Sequence, residues 1–264
     1  MLSRLCELWF TGPGAVELRE GVPAALAADQ VRVRALASGI SQGTELLLWR
    51  GEGPEPFDPS LDAASAPTYP RRYGYAWVGE IVETCAVDRR VGERVFALLP
   101  HGDEHCVVAS AARRLPRELP AERATLAANL ETAVNVVWDA GIGLGDDVVV
   151  IGGGVVGLLT GYAARRGGAR RLRLVEPAEA RRRAALPLGF DEALGPEQHA
   201  SRGDADVVIE ASGDPACLDG AIACARPEGV VVLASFYGQR VAPVSLGADF
   251  HRRRLTLRAS QVSR

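Results

Sequence analysis

Two textures of hydrophobic and polar positions divide the chain. In the first half, short apolar stretches alternate with polar positions at period two and are interrupted by turn residues. Residues 31–36 show this most clearly, and 79–83 and 94–99 are further strand candidates. Residues 51–70 are rich in Pro, Gly, Ser and Asp and predict a long surface loop. Together these signals predict a small β-rich domain, closed enough to avoid long free edges. From residue 119 the texture changes to alanine-rich helical segments that run to 139. Strand and helix periods then alternate: strands at 147–151, 171–175, 206–209, 229–234 and 255–258, helices at 155–166, 178–186 and 215–225. Apolar strands separated by helices predict a parallel sheet covered on both faces. The boundary falls near 125, giving domains 1–125 and 126–264, and no internal repeat is visible.

The strongest chemical signal lies at the first strand of the second half. Val148-Val149-Val150-Ile151 runs straight into Gly152-Gly153-Gly154-Val155-Val156-Gly157, which matches G-x-G-x-x-G. Gly152 permits the tight turn, Gly154 lets a pyrophosphate approach the backbone, and Gly157 lets the helix lie close to the strand. The helix N-terminus then offers free N–H groups and partial positive charge to phosphates. The second strand ends in an acid, Glu176, nineteen residues beyond Gly157. A carboxylate there accepts hydrogen bonds from an adenosine ribose and repels a 2′-phosphate. The pattern predicts a doubly wound Rossmann sheet binding a dinucleotide, NAD in preference to NADP. Arg181, Arg182 and Arg183 keep NADP open, since they could pair with a phosphate or simply form a solvated helix face.

Charge and cysteine use narrow the remaining classes. A net charge of −3 gives no general attraction to nucleic acid or an anionic membrane. All 30 basic residues are arginine, a feature of composition rather than function. Glu7 interrupts the apolar core that a signal peptide would need, and the apolar stretch 148–164 carries five glycines, so strand–turn–helix explains it better than a membrane span. The five cysteines are scattered without a C-x-x-C pair, and Cys217 and Cys224, seven apart, suit one helix face. A cytoplasmic protein is expected.

With these residues in view, the chain resembles the medium-chain dehydrogenase/reductases, the superfamily of zinc-type alcohol dehydrogenases. Ser38-Gly39-Ile40-Ser41-Gln42-Gly43-Thr44-Glu45 resembles the segment around the family's first catalytic ligand, and Gly74-Tyr75-Ala76 its Gly-His-Glu segment. Val91-Gly92-Glu93-Arg94-Val95 resembles its Gly-Asp-Arg-Val turn, and residues 250–257 the start of its last Rossmann strand. The stretch Gly-Ile-Ser-x-Gly-Thr-Glu is similar to the subgroup containing bacteriochlorophyllide-type dehydrogenases. The resemblance implies a GroES-like catalytic domain followed by the cofactor domain, with the active site in the cleft between them, and a small-molecule alcohol or carbonyl substrate. It also implies a homodimer through the last Rossmann strand. The family's zinc ligands are missing: Ser41, Tyr75 and Ala76 stand at ligand positions, and neither Ala128 nor Asn129 supplies the further one. The cysteine-rich structural-zinc lobe is absent between 99 and 105. Zinc is therefore not expected. The chain also ends at Arg264, just after the sixth strand, where the family continues; either it is a truncated form or the remainder is dispensable.

Without zinc, side chains must polarise the carbonyl or take the alcohol proton. By resemblance, Thr44 matches the hydroxyl beside the substrate oxygen and Glu45 an acid supporting the site. Tyr75 and His101 are the candidate acid–base groups; the alternatives are an aromatic packed into the emptied zinc site and an exposed turn. The run from His101 to Cys106 concentrates ligand types, but it is expected to be a solvated turn leading into a strand. On the cofactor side, the resemblance places Thr132 under the nicotinamide, Ser212 and Gly213 along the adenosine, Arg181 at the ribose and Phe236 beside the nicotinamide. Reduction of an activated C=C bond with NADPH, or a non-catalytic nucleotide-binding remnant, are the other readings.

Overall fold

The five residues 147–151 are all buried, and four of them are β-branched, a composition that suits a strand covered on both faces. In the computed structural model, which describes residues 5–22, 24–52, 69–199, 203–238 and 240–262, they form the centre of a parallel sheet.

The chain divides into two compact units, Met1–Ala128 and Asn129–Arg264. In chain order the first unit holds β1 (Leu5–Gly12), β2 (Ala15–Gly21), β3 (Gln30–Gly39), α1 (Thr44–Arg50), β4 (Arg71–Arg72), β5 (Ala76–Thr84), β6 (Arg94–Ala97), β7 (Glu104–Val108), β8 (Arg113–Arg114) and α2 (Ala121–Ala124). Helix α3 (Ala127–Ala140) follows. The second unit continues with β9 (Asp147–Ile151), α4 (Val155–Gly167), β10 (Arg171–Val175), α5 (Glu179–Ala185), β11 (Glu192–Leu194), β12 (Ala205–Glu210), α6 (Leu218–Cys224), β13 (Ala225–Leu233) and β14 (Thr256–Ala259).

The first unit is built from two antiparallel sheets, ordered β2-β1-β4 and β7-β3-β5-β6-β8. Val31, Val33, Trp77, Ile81 and Val95 alternate inward from the larger sheet and form its core. Gly79 is what lets Trp77 enter: a β-carbon there would lie 2.2 Å from the indole ring and 2.4 Å from the Arg34 carbonyl. The buried indole keeps its polar atom satisfied by donating from Nε1 to the Gly102 carbonyl at 3.0 Å.

The second unit is a six-stranded parallel sheet in the order β11-β10-β9-β12-β13-β14. The order reverses between β9 and β12, so a crevice opens at the carboxyl ends of those strands. One apolar cluster joins α3, α4 and Phe190 to one face of the sheet, and a second joins α6 to the other face. Gly161 in α4 gives Phe190 its place, because a β-carbon there would fall 2.0 Å from the ring. Arg165 closes the same helix by donating to the carbonyls of Gly189, Ala169 and Arg170.

Several details differ from the sequence expectations. Strands β1, β2, β4, β8 and β11 carry weak or two-residue patterns that periodicity did not isolate. The helical stretch 119–139 breaks at Thr125–Leu126 into α2 and α3. Strand β13 starts at Ala225 rather than 229, and its register with β12 shifts between Ala205 and Val207; Glu228 beside the shift has φ +65°. Most of the predicted loop 51–70 lies outside the described residues.

The stretch 101–106 is not a solvated turn, because His101 is buried and His105, in β7, packs edge-on against Trp77 with centroids 5.3 Å apart. Burial, reinforced by the Arg72 guanidinium, holds the His105 imidazole down at about 4, against its ordinary 6.5. A base with a depressed folded-state pKa gives full stability above the unfolded value and loses it as pH falls through the folded one. The urea midpoint of the protein is expected to fall between pH 6.5 and 4, and His105→Gln to flatten that slope; an equal slope in both proteins would exclude His105 as a cause.

Candidate functional site

The turn between β9 and α4 is built as its glycines require. Gly152 has φ +101°, and a β-carbon there would lie 2.6 Å from the Ala211 carbonyl group. At Gly157 a β-carbon would fall 2.0 Å from the Gly152 carbonyl oxygen, so only glycine lets α4 dock this closely. A β-carbon on Gly154 would meet nothing within 4 Å, which leaves open space where a ligand would approach. Gly154 caps α4, and Leu158 N–H makes the first bond back to it at 2.9 Å. The preceding amides of Val155, Val156 and Gly157 are thus first-turn donors, suited to an anion.

Glu176 follows the last residue of β10 and is only 3% exposed. One carboxylate oxygen accepts from Gly153 N–H at 2.6 Å and the other from Ala178 N–H at 2.8 Å. The acid therefore ties the fingerprint turn to the start of the next helix, while each oxygen retains a further lone pair for a ribose hydroxyl. Arg181 lies 3.8 Å from this carboxylate. Arg182 donates to the carbonyls of Glu176 and Pro177, and Arg183 pairs with Glu179. Ser212 and Gly213 sit just past β12, with Ser212 Cα 2.6 Å from the point where a Gly152 β-carbon would stand. Phe236 lies past β13 and is 53% exposed. Thr132 is half-buried on α3.

In the first unit, the structure brings together Glu45 and His101. Glu45, in the first turn of α1, is 2% exposed, and His101 is 7% exposed. Glu45 Oε1 and His101 Nε2 face each other at 3.3 Å without hydrogen-bond alignment. The other Glu45 oxygen accepts from Ser41 N–H at 2.9 Å. His101 Nδ1 is hydrogen-bonded to Ser38 Oγ, and its backbone N–H donates to the Tyr73 carbonyl at 3.0 Å. Gly74, at φ +140°, forms the seat of the ring; a β-carbon there would lie 2.9 Å from His101 N and 3.1 Å from Nε2. Tyr75, one residue on, packs edge-on against Tyr73 at 6.4 Å and is half-buried. Thr44 is exposed at the start of α1, its N–H donating to Ser41 Oγ at 3.1 Å.

Sequence reasoning did not single out Ser38, Gly74, Glu210 or Tyr237. The signal for Glu210 was available: like Glu176, it is a lone carboxylate closing an apolar strand, Val-Val-Ile-Glu. Ser38 and Gly74 stand in segments already quoted, but only the folded chain shows that both touch His101.

The comparisons with known proteins agree with this construction. The family model described as zinc-binding dehydrogenase matches residues 155–264. The chain is 30% identical over 268 residues to 2-desacetyl-2-hydroxyethyl bacteriochlorophyllide A dehydrogenase of Cereibacter sphaeroides, covering 94% of this chain and 77% of that protein. It is 26% identical over 273 residues to D-guloside 3-dehydrogenase of Escherichia coli, covering 93% and 77%. A 100-residue stretch is 39% identical to geraniol dehydrogenase of Castellaniella defragrans; that match spans 34% of this chain and only 27% of the relative's length. The fold is that of a zinc-binding dehydrogenase from Sinorhizobium meliloti crystallised with NADP, with TM-score 0.83, 23% identity and coverage of 99% and 85%. The chain belongs to the zinc-binding dehydrogenase family of oxidoreductases.

The family's metal was tested against the donors present. His101 Nε2 and Glu45 Oε1 are two ligand atoms, whereas catalytic zinc takes three from the protein. Among the described residues no three of His, Cys, Asp and Glu converge. This donor set does not fit a catalytic zinc.

Because Gly74 combines a positive φ with contact to His101, Gly74→Ala is expected to cost roughly 1–3 kcal/mol of stability. A thermal melt reads this directly, and an unchanged Tm would show that the seat yields.

Proposed function

We propose that the protein transfers hydride between NAD(H) and an alcohol or carbonyl of a small-molecule substrate, with His101 handling the accompanying proton. The observation that carries the reading is Glu176, a buried carboxylate held against the glycine turn by Gly153 N–H at 2.6 Å. The residues fit a dinucleotide: the first-turn amides of α4 would hold the diphosphate and Glu176 the adenosine ribose. When bound, the nicotinamide supplies or receives the hydride. Glu176 also favours NAD over NADP, because a 2′-phosphate would meet a carboxylate, and Arg181, Arg182 and Arg183 each already engage an acid or a carbonyl.

The proton falls to the first unit's side chains. His101 is clamped by Ser38 on Nδ1, and its Nε2 is aimed at Glu45. A proton taken up by the imidazole would face the Glu45 carboxylate, which stabilises the imidazolium as it forms. Thr44 and Tyr75, next in sequence to Glu45 and Gly74, are the hydroxyls that would orient a substrate oxygen. The reading needs no zinc. Relatives named for a guloside, a bacteriochlorophyllide and geraniol act on oxygen-bearing carbons of very different skeletons, so the substrate class is set here only as alcohol or carbonyl.

Among the described residues no helix is long and apolar enough to cross a membrane. The five cysteines, scattered without a C-x-x-C pair, support a cytoplasmic setting as part of the proposal.

The dialysed protein is expected to show a rise in Tm with millimolar NADH that exceeds the rise with NADPH. His101→Gln is expected to lower kcat by roughly 10²–10⁴ while leaving the NADH-induced rise intact. No Tm shift with either cofactor would overturn the cofactor assignment, and full activity in His101→Gln would overturn the proton assignment.

Strand β14 closes the parallel sheet at one end, pairing only with β13 among the described strands. We propose that two copies cover this edge by pairing there. Light scattering is expected to give twice the chain mass, and a monomer would remove this part of the proposal.

A further inference from the structure

A fully buried carboxylate in the second unit, met by three donors, belongs to neither the candidate cofactor groups nor the candidate proton groups. Glu210 ends β12, pairs across the sheet with Ile151 and Leu233, and is 0% exposed. One carboxylate oxygen accepts from Ser212 N–H at 2.7 Å and also from Ser212 Oγ–H. The other accepts from the Tyr237 hydroxyl at 2.5 Å. Its backbone carbonyl accepts from Ala234 N–H at 2.8 Å and Ser235 N–H at 3.2 Å. Two loops therefore converge on one residue: the one after β12 and the one after β13.

Further bonds run between the same loops. Gly213 N–H donates to Ser235 Oγ at 2.8 Å, and Arg240 donates to the Gly213 carbonyl at 2.7 Å and the Tyr237 carbonyl at 3.2 Å. Burial, with the bond to Glu210 and its charge, pushes the Tyr237 phenol far up, so it remains a neutral donor. A buried carboxylate is costly unless it is hydrogen-bonded, and here three donors, two on one oxygen and one on the other, meet it.

Position gives the network its meaning. Glu210 adjoins the point where the strand order reverses, and the segment it holds packs directly on Gly152 of the fingerprint turn. Phe236 is exposed, yet its backbone neighbours Ser235 and Tyr237 are both bonded to Glu210. We propose that Glu210 is a positioning residue of the cofactor crevice: it fixes Ser212–Gly213 and Phe236 relative to the glycine turn, so that the two halves of a dinucleotide meet pre-set loops. This rests on the cofactor reading given above. It acts through hydrogen-bond geometry rather than charge, since a glutamine could accept from Ser212 through its oxygen and donate to the Tyr237 oxygen.

NADH affinity is measured by titration on the full chain, below the melting temperature of each variant. Glu210→Ala is expected to weaken NADH at least about tenfold, and Glu210→Gln to stay within about threefold of wild type. Ser212→Ala and Tyr237→Phe are each expected to weaken NADH severalfold, but to have no further effect in the Glu210→Ala background, because both act through the same acceptor. In turnover, the loss in Glu210→Ala should appear in the KM for NADH more than in kcat. Unchanged NADH affinity in Glu210→Ala would overturn the proposal, as would Glu210→Gln failing as badly as Glu210→Ala, or undiminished effects of the two partner substitutions once Glu210 is gone. Should Glu210→Ala not fold, the Ser212→Ala/Tyr237→Phe double mutant decides: additive losses overturn the proposal and non-additive losses support it. Failure of the wild type to bind NADH or NADPH would overturn the cofactor reading itself, a result distinct from all of these.

Discussion

One steric contact governs the second unit: the approach of α4 to the turn it leaves, where no β-carbon fits between position 157 and the Gly152 carbonyl oxygen. That closeness aims the helix N-terminus at the carboxyl ends of β9 and β12. It also brings Gly153 N–H within reach of Glu176 and seats Gly152 against the loop after β12. A larger residue at 157 would lift the helix, and the acid, the turn and the neighbouring loop would lose their common reference together. The crevice is thus determined by van der Waals exclusion before any polar group is considered.

Three buried carboxylates then perform related tasks by different bonds. Glu176 and Glu210 each stand at a strand end and accept a backbone N–H from the residue two positions on, and Glu176 accepts a second from Gly153 in the glycine turn, so each converts a strand end into a fixed loop. Glu45 also accepts a backbone N–H, from Ser41, but its second oxygen is turned toward an imidazole. The first two organise loops with both oxygens, whereas the third leaves one oxygen facing a side chain. What separates the two kinds is the partner of the second oxygen: a hydrogen-bond donor at Glu176 and Glu210, an unaligned imidazole nitrogen at Glu45.

The sequence made the second unit legible because its signals are local. Strand β9 announces itself through an unbroken apolar run, β10 through alternating leucines, and the turn between β9 and α4 through a fixed glycine spacing, and the strand ends fall where the pattern puts them. Strand β11, at three residues, is too short to show a period and exists because it adds to the edge of β10. In the first unit, the pairing partners are far apart in the chain. β1 and β4 meet across some sixty intervening positions, as Trp9 meets Arg72, and no window of sequence contains both. The same distance hid the His101 environment. Glu45 and His101 were named separately through resemblance, but the burial of the histidine depends on Ser38 from β3 and on the absent side chain at Gly74. A histidine beside Pro100 and Gly102 reads as a turn until a glycine from the connection between β4 and β5 is brought beneath it.

Holding His101 at Nδ1 and through its backbone has a conformational corollary. With Nδ1 on Ser38, Nε2 opposite Glu45 and the backbone amide on Tyr73, turning the ring over would break the Ser38 bond and put carbon edges where both nitrogens stand. The imidazole therefore has one favoured orientation, and in the proposed role its proton exchange beside Glu45 would not wait on side-chain rotation.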